Sequence, residues 1–175
     1  MEQAVSPGRI SLRDYQRQLA ERLRLADSAR SASKLGVQVG EQSWLIDLAE
    51  AGEVMPVPAI TTVPLTQPWF RGVANVRGNL YSVVDFAEFL GSGASGTGEQ
   101  ARLVLLGERF RSAAALLVDR SLGLRNPKEL RVRAAAPGGK GWLRGEYEDE
   151  SGGRWRELDV GALVRDAGFL SVAGT

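Results

Sequence analysis

The chain has 175 residues, 43 % apolar and 25 % charged, with a formal net charge of +1. That is enough length for one domain with a sizeable core, and too little charge to draw nucleic acid to the fold as a whole. It has no cysteine and no histidine. Disulfides, thiol catalysis, thiolate metal sites, phosphohistidine relays and Ser-His-Asp triads are therefore excluded. The opening M-E-Q-A-V-S-P has no basic end followed by an apolar stretch, and no apolar run approaches the ~20 residues of a membrane span. A cytoplasmic protein is expected.

Ser11 to Ser33 reads as a helix. Ser11 is placed to cap it, and Leu12, Tyr15, Leu19, Leu23 and Ala26 recur at spacings of three and four. That stripe either docks on the rest of the chain or engages a partner. From Leu35 the pattern alternates: Val37 and Val39, then Trp44, Ile46 and Leu48, with G-E-Q between them as a turn. Val54, Val57, Ile60 and Val63 follow, broken by Pro56, Pro58, Pro64 and Pro68, which restricts this stretch to short edge strands or extended connections. Trp69 to Phe86 reads as a turn and then a strand. Gly72 and Gly78 stand where the backbone needs positive φ or close approach. Ala87 to Leu90 predicts a helical turn stopped by Gly91.

The run G-S-G-A-S-G-T-G over 91–98 has almost nothing to pack and predicts a flexible link between two halves. It lacks the Gly-Lys-Ser/Thr ending of a phosphate loop. Leu103 to Leu106 and Ser112 to Val118 are apolar runs joined through Arg109. Trp142 to Tyr147 and Arg154 to Leu158 flank a polar hairpin tip, E-D-E-S-G-G. Asp159 is expected to cap a last short helix. Many short strands with few helices make the chain mainly β.

The phrase G-V-A-N-V-R-G followed by V-V-D-F resembles the signature of the CheW-like adaptor family, G-x-x-N-x-R-G and then an apolar strand ending in Asp. Glu53-Val54, Leu116-Leu-Val-Asp119 and Leu158-Asp-Val-Gly-Ala-Leu163 resemble further family landmarks. The amino-terminal helix and the ending Gly168-Phe-Leu-Ser-Val-Ala173 resemble the branch that serves twitching motility. Ser82 departs from the proline usual in that strand, and the link after Gly91 is unusually rich in glycine. The resemblance implies two five-stranded barrel-like lobes packed together, roughly 35–91 and 101–165 with the link 91–100, within a domain over 35–175 that follows a helical extension over 1–34.

The resemblance also implies a function: a non-catalytic adaptor, with no cofactor and no metal, that couples a chemoreceptor's cytoplasmic tip to the regulatory domain of a histidine kinase at membrane-associated arrays. No nucleic acid and no membrane insertion are implied. Flagellar chemotaxis is the alternative pathway, and a small barrel that binds nucleic acid is the alternative class. Arg77, Glu53, Val54, Asn75 and Gly72 form the implied partner-binding set. Arg77 is either a receptor contact or a structural arginine tied to Asp85. Asn75 reads as a turn-stabilising amide. Asp85 and Asp119 read as caps for the turns that follow them. Glu146, Glu148, Asp149 and Glu150 read as a solvated turn rather than an acid-base pair. Trp44, Trp69, Trp142 and Trp155 read as packing aromatics.

Overall fold

The computed structural model describes residues 16–22, 33–96, 98–134 and 140–174. Among the described residues, twelve strands form two six-stranded sheets. β1 (Lys34–Val39) and β2 (Gln42–Asp47) open the first sheet. β9 (Arg120–Arg125), β10 (Leu130–Ala134), β11 (Leu143–Asp149) and β12 (Arg154–Leu158) complete it, in the order β10-β11-β12-β2-β1-β9. The second sheet is built from β3 (Ala51–Pro56), β4 (Ile60–Thr61), β5 (Phe70–Val76), β6 (Asn79–Asp85), β7 (Arg102–Leu106) and β8 (Ala114–Val118). Its order is β3-β7-β8-β6-β5-β4. Each sheet contains one parallel pairing, β12 with β2 and β6 with β8.

The sheets have six strands each rather than the expected five. The second sheet is one continuous segment, β3 to β8, set between β1–β2 and β9–β12. The glycine-rich link thus lies inside one sheet, between α2 (Phe86–Phe89) and β7.

Side-chain alternation explains how the layers pack. On β7 and β8, Val104, Leu106, Ala114, Leu116 and Val118 face one way, with Leu35, Val37, Val39, Trp44, Ile46 and Leu158 of the first sheet. This is the inter-sheet core. Leu103, Leu105, Ala115 and Leu117 face the other way, with Ala74, Val76 and Val83. Met55, Ile60 and Tyr81 cover that second cluster. The second sheet therefore curls around an apolar filling of its own. Its central strands are apolar without interruption because both faces are buried. β3 and β4 lie at its two edges, where the prolines are tolerated.

Aspartates hold the connections. Asp85, wholly buried, caps α2 through the Glu88 N–H and also accepts from the Ser95 N–H at 2.9 Å. Asp119 accepts from the N–H groups of Gly40 and Gly96, both at 2.6 Å. The link is thus pinned at Ser95 and Gly96 rather than free. Asp119 braces the β1–β2 turn against it instead of capping its own following turn. Asp159 caps α3 (Val160–Leu163), as expected, and Asp166 caps a further helix, α4 (Ala167–Leu170), not foreseen from the sequence.

Replacing Asp85 with alanine removes a cap and leaves the buried Ser95 N–H without a partner. The expected loss is about 2–4 kcal/mol. Urea denaturation monitored by circular dichroism reads it, and a midpoint unchanged from wild type would contradict it.

Of the amino-terminal helix, only residues 16–22 are described. They are helical (α1) and exposed throughout, with Leu19 47 % exposed. Leu19 is thus not packed against the rest of the described chain, and Leu12, Tyr15, Leu23 and Ala26 lie outside the described residues. No helix among the described residues is long and apolar enough to cross a membrane.

Candidate functional site

The signature stretch is a complete hairpin, β5–β6, rather than a turn leading into one strand. Its loop is Arg77-Gly78, with φ of 52° and 87°. Two consecutive residues at positive φ make the mirror-image turn whose twist suits a tight hairpin. Asn75 secures it: its side-chain oxygen accepts from the Gly78 N–H at 2.8 Å. The expected structural role of Asn75 is what the geometry displays.

That turn aims Arg77 across the sheet. Its guanidinium meets Glu53 on β3 in a two-pronged pair, Nη2 to Oε1 and Nη1 to Oε2, each 2.8 Å. The fork of the guanidinium matches the carboxylate, which fixes orientation as well as distance. β3 and the β5–β6 turn come from opposite sides of the sheet order, so the pair spans the curl of the second sheet. Asp85, the partner considered from the sequence, is buried under the link and takes no part.

Beneath the pair runs a groove of about 320 Å³. Val76, Tyr81, Leu105 and Leu106 give it apolar lining, while Glu53, Arg77 and Glu108 supply charge. The groove thus mixes apolar and polar lining, with the Arg77–Glu53 pair oriented along it. Of the five implied partner-binding residues, Glu53 and Arg77 line the groove, and Asn75 supports it through the turn. Val54 packs against the inter-sheet core instead. Its neighbour Glu53 takes the opposite face of β3 because successive strand residues alternate. Gly72 is buried where β4 pairs with β5, and a Cβ there would lie 2.1 Å from the Thr61 carbonyl oxygen.

A charged network is built around Glu50. Glu50, just before β3, is buried and accepts from Arg109 and Arg144, both at 3.1 Å, and from the Val160 N–H. Arg144 reaches onward to Asp159 at 3.1 Å and Glu157 at 3.3 Å, and Lys34 closes the network on Glu157 at 2.7 Å. Burial works against the charge of Arg144, yet Glu50 and Asp159 outweigh it and hold the guanidinium above its ordinary pKa. Glu157 is likewise disfavoured by burial, but Lys34, Tyr147 and Arg144 hold its carboxyl below the ordinary value. Tyr147 is pushed up to about 12 by burial and by its hydrogen bond to Glu157.

Sequence reading missed this network. Lys34 and Glu157 are 123 positions apart, and nothing local marks them as partners. The one available signal was a carboxylate at an inward position of the alternating R-W-R-E-L strand.

The acidic run is not the solvated turn expected: Glu146, Glu148 and Asp149 lie half-buried on β11, Glu146 and Glu148 are paired with Arg156 and Arg133, and only Glu150 sits in the exposed turn. Asp149 accepts from Ser151, Gly153 and the Trp155 indole, and those hydrogen bonds lower its carboxyl to about 2. Trp44, Trp142 and Trp155 are buried, and Trp69 packs on Phe89 and Phe169. Among the described residues no group of His, Cys, Asp or Glu is arranged to hold a metal ion.

The family model of the CheW-like domain matches residues 34–168. The chain belongs to the CheW-like family. It is 32 % identical over 153 residues to protein PilI of Pseudomonas aeruginosa, covering 84 % of this chain and 83 % of that protein. It is 29 % identical over 100 residues to the chemotaxis protein CheW of Thermotoga maritima, covering 57 % of this chain and 65 % of that one. Among solved structures, the scaffolding protein TtCheW of Thermoanaerobacter tengcongensis superposes with a TM-score of 0.59 at 17 % identity, over 73 % of this chain and 88 % of that one. The mainly β, CheW-like fold implied by the signature is thus the fold of the chain. The matched span begins at Lys34, the first residue of β1.

Proposed function

We propose that the chain is a non-catalytic adaptor that couples a chemoreceptor to a histidine kinase in the chemosensory system of type IV pilus twitching motility. The observation that carries this reading is the exposed Arg77–Glu53 fork above an apolar groove, set in a CheW-like body. Arg77 is 76 % exposed and Glu53 37 %. A pair so exposed contributes little to stability, so its fixed geometry is available for recognition. The groove takes the receptor tip, with Arg77 and Glu53 as polar contacts and Gly72 and Asn75 as the residues that shape the hairpin. The kinase regulatory domain takes another face, and tethering the two partners raises their effective concentration. The similarity to PilI supports the twitching pathway over flagellar chemotaxis. The protein works in the cytoplasm, recruited to receptor arrays and not inserted in the membrane. A nucleic-acid-binding barrel needs exposed stacking aromatics beside a basic stripe. Three of the four tryptophans are buried and the net charge is +1, which argues against it.

Calorimetry with the cognate receptor tip and the kinase regulatory domain tests the reading. Both are expected to bind in the micromolar range, about −8 kcal/mol. Arg77→Ala is expected to weaken receptor binding by about 1–3 kcal/mol and to leave kinase affinity unchanged. Its melting temperature should stay close to wild type, since exposed pairs are worth only about 0–1 kcal/mol. Failure to bind either partner sinks the adaptor reading. Equal losses for both partners, together with a lower melting temperature, would make Arg77 structural.

A further inference from the structure

A quarter of the chain is charged, yet no Asp, Glu, Lys or Arg occurs from Val54 to Phe70 or from Ala167 to Gly174. The fold joins these two segments. Thr66 forms a bridge with Ala173, the Gln67 N–H donates to the Val172 carbonyl at 2.8 Å, and the Gly174 N–H donates to that of Leu65 at 2.9 Å. The Gln67 side-chain amide adds a bond to the Ala173 carbonyl at 2.9 Å. Phe169 is buried and anchors the second segment by stacking on Trp69. The exposed residues of both segments thus belong to one continuous surface without charge.

Leu65 stands out on that surface. It is 89 % exposed and has φ of +58°. Leucine is rare at left-handed φ, because its Cβ crowds the backbone there. The bonds of Leu65, Thr66 and Gln67 to the second segment, and that of the Thr66 hydroxyl to the Val63 carbonyl at 2.9 Å, hold the loop in this shape. Backbone strain and apolar exposure at one residue, both imposed by the structure around it, mark a surface kept for a purpose. Val63 is exposed on the same loop, and Leu170, 63 % exposed, lies on the second segment. A single exposed leucine is ordinary; an uncharged surface carrying several apolar side chains is not.

We propose that this surface pairs with the same surface of a second copy of the chain, about a twofold axis. A twofold contact sets each residue near the axis against its own copy, so a charged residue there meets its like. This surface has none to oppose. Interfaces between unlike partners are richer in charge, arginine in particular, whereas homodimer interfaces are more apolar. An apolar loop that enters a lipid surface is accompanied by Lys or Arg for the headgroups, and both segments lack them. The surface is small beside the roughly 20–30 residues a side of a standard interface, so the dimer is a weak one. The Arg77 groove is lined by other residues, and the proposal does not rest on the adaptor reading.

Sedimentation velocity of the full chain over a concentration series tests it. The average mass should climb from monomer towards dimer with a midpoint on the order of 100 µM. Leu65→Asp sets like charges face to face and should weaken that midpoint at least about tenfold. Leu65→Gly removes the side chain and suits the left-handed φ, so it should weaken association without lowering the melting temperature. Leu124→Asp, at an exposed leucine on β9, should leave the midpoint unaltered. The proposal is overturned if the chain stays monomeric up to ~500 µM, well beyond that midpoint. It is equally overturned if either Leu65 variant associates as wild type does, or if Leu124→Asp weakens association as much as Leu65→Asp. A monomeric chain in which Leu65→Asp instead abolishes binding to the kinase regulatory domain, or to phosphatidylcholine–phosphatidylglycerol vesicles, would assign the surface to that partner and overturn the proposal as well.

Discussion

Gly72→Ala is expected to lower the melting temperature by about 6–20 °C, from a loss of about 3–5 kcal/mol in a domain of this size. Gly72 has φ of +126°, a region that side chains rarely enter. A Cβ added there would stand 2.1 Å from the Thr61 carbonyl oxygen, 2.8 Å from its carbon and 2.9 Å from the Thr62 Cα. All three are backbone atoms, so no rotamer change relieves the clash. β4 would have to leave β5, losing the pairings of Ile60 with Ala74 and Thr61 with Val73. Gly78→Ala is the matched control. It also has positive φ, at +87°, but nothing lies within 4 Å of the added carbon. Only backbone strain then remains, about 1 kcal/mol. Thermal melts of both variants separate the two effects. If Gly72→Ala melts no lower than Gly78→Ala, close approach is not what this glycine provides.

The contrast between these two glycines shows what was legible in the sequence. Both were marked as positions of unusual backbone, because glycine among apolar strand residues has few other reasons to be there. Which one faced a neighbouring strand depended on β4, a pairing across Pro64 and Pro68 that no local pattern encodes. The G-V-A-N-V-R-G phrase was legible as the family signature because it couples a two-residue turn, the amide that secures it and the arginine that projects from it. The partner of Arg77 was not legible. Glu53 lies 24 positions away and reaches it only because the second sheet curls. Strands with both faces buried, such as β7 and β8, stood out as unbroken apolar runs. β9 and β10 went unseen, since R-S-L-G-L-R and L-R-V-R-A are edge strands whose arginines hide the alternation. The glycine-rich link was misjudged for a related reason. Composition shows how little it has to pack, but not that Asp85 and Asp119 receive its backbone N–H groups.

Glu157→Ala is expected to cost about 3–5 kcal/mol at neutral pH, the range for removing one partner of a buried ion pair. Glu157 is 2 % exposed, and its loss leaves Lys34, whose side chain is 14 % exposed, without a counter-charge. It also strips Arg144 and Tyr147 of an acceptor. The paired replacement Lys34→Met with Glu157→Leu should restore much of that loss, because apolar groups of similar size fill the space without a charge to desolvate. The pH dependence follows from the directions of the shifts. The carboxyls of Glu157 and Asp159 are held below their ordinary values, as is that of Asp149 at about 2. Each therefore contributes stability that is present above the unfolded-chain values of about 4 and lost as pH falls through the lowered folded values. Tyr147, raised to about 12, works the other way: its contribution is complete below about 10 and disappears as pH rises towards 12. Urea midpoints measured from pH 3 to pH 7 should fall steeply on the acid side for wild type. The Glu157→Ala curve should run flatter, since the carboxylate that titrates has gone. A single variant as stable as wild type at pH 7, or an acid limb of unchanged slope, would show that the Lys34–Glu157–Arg144 network does not hold the first sheet together.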